Sequence, residues 1–161
     1  MGLVYGGASV GVMREVADAT LAAGGEVIGV IPQALLDREV AHHGLTELRV
    51  VPSMHIRKAT MESLASSFVA LPGGFGTLDE LFEILTWAQL GIHQKPVGLL
   101  DTEGFWQPLV SLVDHMVREE FIPEDQTRLF VVDPDPASLM EKLGAWTPPV
   151  LGPKWVERGA T

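Results

Sequence analysis

The chain has 161 residues, no cysteine, 47% hydrophobic and 20% charged residues, and a formal net charge of -10. That is one domain's worth of globular sequence, able to bury a single substantial core. It excludes disulfides and thiolate metal ligands, holds no apolar run near the ~18 residues of a membrane span, and is acidic enough to repel nucleic acid over most of its surface. The opening MGLVYGG lacks the basic start and long apolar core of a signal peptide, so a cytoplasmic protein without a membrane or nucleic-acid partner is expected.

In chain order, short apolar runs alternate with longer amphipathic stretches. LVYGG is followed by VMREVADATLAAGG, EVIGVIP, LRVVP, a helical pattern from about Ile56, and FVALPGG. Then come LDELFEILTWAQLG, KPVGLLD, GFWQPLVSLVDHMVREEF, LFVVD and PASLMEKLGAW. Strands that read as continuous apolar runs between helices indicate a parallel sheet, so the expected class is α/β, doubly wound, with helices on both faces. Residues 1–146 form the expected single domain and 147–161, broken by prolines, a C-terminal arm.

Two glycine-rich loops stand out. The first, YGGASVG, follows a strand and opens a helix, but Gly6-x-Ala8-x-x-Gly11 departs from the dinucleotide fingerprint and EVIGVIP closes on Pro32 instead of a ribose-binding carboxylate. A tight strand-to-helix turn and a nucleotide contact both remain open there. The second, LPGGFGTLDE, offers Gly73, Gly74 and Gly76 ahead of a helix that Thr77 can cap from Leu78 onward. Unpaired N–H groups and the positive end of a helix dipole make such a loop a site for a phosphate monoester. It lacks the lysine and spacing of a P-loop, which disfavours a triphosphate.

Glu80 stands three residues after Thr77, as in a capping box, and also one turn from where a phosphate would sit. Capping and catalysis are both open to it. Upstream, Arg57 and Lys58 begin a helical stretch, either as solvated surface or as phosphate partners. The histidines His42, His43, His55, His93 and His115 show no ligand spacing, so no metal is expected. Phe82 and Trp87 recur with Leu78, Leu81 and Leu85 at helical spacing, which marks core or interface.

Together, MHIRK at Met54 to Lys58, PGGFGTLDE at Pro72 to Glu80, and TWAQLGIHQKPVGLL at Thr86 to Leu100 resemble the Lonely Guy (LOG) family, the cytokinin riboside 5'-monophosphate phosphoribohydrolases once labelled lysine decarboxylases. The similarity runs from about Gly2 to about Leu143. It implies a Rossmann-like homodimer that hydrolyses the N-glycosidic bond of an N6-modified adenosine 5'-monophosphate to free base and ribose 5-phosphate, with no cofactor. By the same resemblance Arg57 and Glu80 are the catalytic pair, and Glu39, Met54, Lys58, Gly73, Gly74, Phe75, Gly76, Thr77, Asp79 and Thr86 bind substrate, the loop from Gly73 to Thr77 taking the phosphate.

The chain departs from the family pattern at Ala8, Ile56 and Ser66, and by this comparison lacks the first β-α unit before Met1. A non-catalytic nucleotide or cofactor carrier on the same fold is the alternative. A pyridoxal-dependent decarboxylase is disfavoured, because Lys58 and Lys95 lie in no recognisable Schiff-base context.

Overall fold

The computed structural model describes residues 1–36 and 41–150. It is α/β, with two three-stranded parallel sheets, and divides into two compact units, Met1–Ala65 and Ser66–Thr161. Among the described residues, no helix is long and apolar enough to cross a membrane.

In the first unit, β1 (Leu3–Tyr5), β2 (Val27–Pro32) and β3 (Glu47–Val51) lie in that order, Leu3 opposite Val27 and Ile28 opposite Glu47. The run VIGVIP becomes the central strand for the reason its composition indicates. Val27, Val30 and Ile31 are wholly buried, and β-branched side chains suit a pleated surface covered by neighbours. Helix α1 (Gly11–Ala22) carries the chain from β1 to β2 and buries Ala17 against Tyr5 and Val27. A four-residue helix, α2 (Gln33–Leu36), follows β2, and α3 (Met54–Leu64) follows β3.

Burial, aided by the Asp18 carboxylate, pushes the Tyr5 phenol up to about 12. Because the folded value lies above the ordinary ~10, the stability tied to the neutral phenol is intact below pH ~10 and is lost as pH rises toward the folded value. Tyr5 is the chain's single tyrosine, so an absorbance titration reads it alone. We expect little phenolate signal near pH 10 in the folded protein, with Asp18→Asn lowering the midpoint; a wild-type midpoint at the ordinary value would refute the assignment.

In the second unit, β4 (Phe68–Ala70), β5 (Val97–Leu100) and β6 (Val131–Asp133) are parallel in that order. Its core joins Leu81 of α4 (Phe75–Gln89) to Val97, Leu99 and Trp106, with Leu78, Ile84, Leu85 and Phe68 packed around them. This assigns the helical leucine pattern to the core. After β5 a 3-10 turn at Thr102–Gly104 precedes α5 (Gln107–Arg118), so this helix starts later than GFWQPLV suggests. Asp101 explains the delay: its carboxylate accepts from the Trp106 N–H at 2.7 Å and from the Gln107 amide at 2.5 Å, which fixes the turn first. His93 is buried; its Nε2–H donates to the Ile84 carbonyl at 2.9 Å and its Nδ1 accepts from the Lys95 N–H at 3.1 Å, the neutral tautomer that both bonds require.

At the end of β6, Asp133 accepts from the Lys142 ammonium at 2.6 Å, from the Ser138 hydroxyl at 2.6 Å and from the Asp135 N–H at 2.8 Å. These bonds, Lys142's foremost, hold its carboxyl down at about 2 and tie β6 to α6 (Pro136–Ala145). A depressed folded value stabilises the protein above the unfolded value of ~3.9, and the benefit is lost as pH falls through the folded one. Lys142→Met is therefore expected to move the acid-unfolding midpoint to higher pH, and an unmoved midpoint would exclude the ion pair as a contributor.

Candidate functional site

Each unit presents its glycine loop at the carboxyl ends of its own parallel strands, where open α/β sheets hold ligands. In the first unit that end carries Gly6, Gly7 and Ala8 after β1 and the start of α3 after β3. Gly7 has φ of 78°, the left-handed region, so glycine is required by the backbone. Ala8 is wholly buried and bridges Ala41, while the Gly7 carbonyl accepts from the His42 N–H at 3.2 Å. A buried methyl at Ala8 fits the tight-turn reading of this loop.

Helix α3 starts at Met54, two residues before the sequence pattern suggests, because the Ser53 hydroxyl caps it by accepting from the Ile56 N–H at 3.2 Å. Ser53 is the residue that sequence reading missed, and the signal was there: a serine directly ahead of the helical pattern. The cap sets Arg57 and Lys58 as the fourth and fifth residues of the helix. Cations near a helix N-terminus oppose its dipole, so the stability of α3 does not call for them. Arg57 Nη1 lies 3.4 Å from Met54 Sδ, which brings two of the expected site residues together. Glu39 falls outside the described residues.

In the second unit, α4 begins at Phe75 with Gly74 as its N-cap, not at Leu78 behind a capping Thr77. The cap has no side-chain hydrogen bond, and Leu78 N–H already donates to the Gly74 carbonyl at 3.1 Å. Thr77 is thus the third residue of the helix, and the capping-box geometry for Glu80 does not apply. None of Gly73, Gly74 and Gly76 has positive φ. Their value is space: a Cβ at Gly74 or Gly76 would meet nothing within 4 Å, and one at Gly73 would overlap the Thr77 hydroxyl. Phe75 is 93% exposed beside them.

Glu80, partly buried, lies six residues beyond the cap, ~9 Å up the axis. That sets its carboxylate back from the helix end, well over one turn into α4. Thr77 is three residues before Glu80 and shares its side of the helix. Asp79 and Thr86, seven residues apart, share another side, and the Thr86 hydroxyl donates to the Phe82 carbonyl at 2.6 Å. Among the described residues, no group of three or more His, Asp or Glu side chains is placed to hold a metal ion.

A protein-family model described as "possible lysine decarboxylase" matches residues 13–143. The chain is 52% identical over 146 residues to the rice (Oryza sativa subsp. japonica) protein named probable cytokinin riboside 5'-monophosphate phosphoribohydrolase LOGL9, covering 91% of this chain and 64% of the rice protein. It is 51% identical to the rice cytokinin riboside 5'-monophosphate phosphoribohydrolase LOG over 146 residues, 91% of this chain and 60% of that protein. With LOG5 of Arabidopsis thaliana, which carries the same enzyme name, identity is 46% over 148 residues, 92% of this chain and 65% of LOG5. The chain thus spans about three fifths of the length of these curated relatives. On this match across most of its length, the chain belongs to the Lonely Guy family, whose model still bears the lysine decarboxylase description.

Proposed function

We propose that this protein hydrolyses the N-glycosidic bond of an N6-modified adenosine 5'-monophosphate, such as a cytokinin riboside monophosphate, giving free base and ribose 5-phosphate. The observation that carries the reading is the start of α4, a long helix whose N-terminus is entered over unobstructed glycines, with Glu80 further along the same helix. The N–H groups of Phe75, Gly76 and Thr77 and the helix dipole hold the 5'-phosphate, and in the first unit Lys58 is a further substrate-binding cation. Phe75, Asp79 and Thr86 complete the substrate contacts on α4, and Met54 and Glu39 those of the first unit.

Bond cleavage develops positive charge on the sugar, which the Glu80 carboxylate stabilises, or it takes a proton from the attacking water. Arg57 acts on the sugar hydroxyls. Holding the phosphate fixes the ribose for attack, so binding far from the reacting carbon serves the rate. Water adds to the sugar carbon and the base leaves with a proton; no cofactor takes part.

The absence of cysteine supports a cytoplasmic setting, and the exposed Phe82, Leu90 and Ile92 at and beyond α4 support a homodimer, which light scattering tests. The deciding experiment is product chromatography after incubation with isopentenyladenosine 5'-monophosphate and with AMP. Free base from either supports the hydrolase. Calorimetric binding of the nucleotide without release of base would overturn it in favour of a carrier.

A further inference from the structure

We propose that Gly6, which no contact with substrate assigns to the reaction, is a positioning residue for Arg57; the proposal rests on the reading of Arg57 given above. The guanidinium of Arg57 lies against the Gly6 backbone so closely that a Cβ there would overlap Nη2 and stand only 3.1 Å from Cζ and 3.6 Å from Nε. The space that a side chain would take at Gly6 is occupied by the tip of the arginine.

Gly6 does not need to be glycine for its own backbone, since its φ lies outside the left-handed region that Gly7 occupies. Alanine is therefore conformationally allowed at position 6, and its cost must appear at Arg57. Nor can the loop retreat to make room. The Gly7 Cα sits where a Cβ on Gly29 of β2 would reach it at 2.8 Å, and a Cβ at Gly7 would meet Leu48 at 3.2 Å and Ile31 at 3.3 Å. Ala8 is pinned by its bridge to Ala41, and the Gly7 carbonyl by the His42 N–H. With the loop packed from beneath, the flexible arginine is the partner that moves.

Arg57 Nη1 also contacts Met54 Sδ, one turn back on α3, and Nε is shielded from solvent. The guanidinium thus touches both the bare Gly6 backbone and a thioether. Fixing its plane in advance removes the rotamer freedom that a long cationic side chain would otherwise lose on binding.

The test is a double-mutant cycle of Gly6→Ala and Arg57→Ala, read by kcat and KM on isopentenyladenosine 5'-monophosphate and by thermal melting. Gly6→Ala alone is expected to lower kcat by ~10-fold or more, the scale of a displaced catalytic group, with the melting temperature held. In the Arg57→Ala background the same change should cost nothing further. Equal losses in both backgrounds, accompanied by a lowered melting temperature, would make Gly6 merely structural and overturn the proposal. Wild-type constants in Gly6→Ala beside a large loss in Arg57→Ala would overturn it and leave the proposed function standing; wild-type constants in Arg57→Ala would instead remove the reading on which it rests. If Gly6→Ala alone proves insoluble, the double variant should regain solubility because the obstructing tip is gone, and failure to do so counts against the proposal.

Discussion

Glu80→Gln is expected to lower turnover by ~100-fold or more while nucleotide affinity changes little. The substitution keeps the size and the helix position of the side chain, so the start of α4 and the N–H groups proposed for the phosphate are untouched. What it removes is the negative charge that a cationic sugar needs and the basic oxygen that a water needs. A fall in kcat with KM preserved is the signature of an interaction made in the transition state. Product chromatography under single-turnover conditions, beside calorimetry with the intact nucleotide, separates the two constants. Turnover within a few-fold of wild type would remove Glu80 from the mechanism, and a matching loss of affinity would recast it as a binding residue.

The largest effect on stability is expected at Trp106, where truncation to alanine should cost about 3–5 kcal/mol. Its side chain is 1% exposed and packs with Leu81, Val97 and Leu99, so it joins α4 and β5 in one core. Phe105 adds an edge-on ring contact at 5.0 Å. Domains of this size are stable by ~5–15 kcal/mol, so the loss is a large share of the total. Trp106→Phe should be far milder. It keeps most of the apolar volume and deletes an indole N–H that is buried without an acceptor, a group whose burial itself costs stability. Denaturant unfolding of both variants measures the difference. Equal losses would show that the indole N–H is satisfied in solution, and a small loss for alanine would show that the core closes over the gap.

The strands were legible wherever burial is two-sided. VIGVIP and PVGLL carry apolar residues at consecutive positions in short runs flanked by glycine or proline, as covered parallel strands do, and β2 and β5 are the central strands of their sheets. Helix starts were less legible. A threonine ahead of an apolar pattern reads as a cap, yet α4 starts three residues earlier, since nothing in the local pattern tells that Gly74 can take the cap position and that Thr77 fills the space beside Gly73. The short turn before α5 stayed hidden because it depends on which backbone groups the Asp101 carboxylate reaches. The residue types of the candidate site were visible through glycine spacing and family motifs. The packing of Gly6 on Arg57 and the 2.8 Å pairing of His42 with Asp18 were not, because both join residues distant in sequence and leave no periodic trace.

The strand order of the two sheets also bears on how the chain reaches its native state. Among the described residues, every strand pairs only with the next or preceding strand in sequence: Leu3 meets Val27, Ile28 meets Glu47, Phe68 meets Val97 and Gly98 meets Val131. Each pairing closes one crossover within its own unit, which keeps loop-closure entropy modest. Contact order is therefore lower than in a parallel sheet whose neighbours come from opposite ends of a chain, and folding should be correspondingly quick. The two units supply ready-made foldons, with native-state amide exchange slowest in β2 and β5 and their protection lost in two separable steps as denaturant is raised.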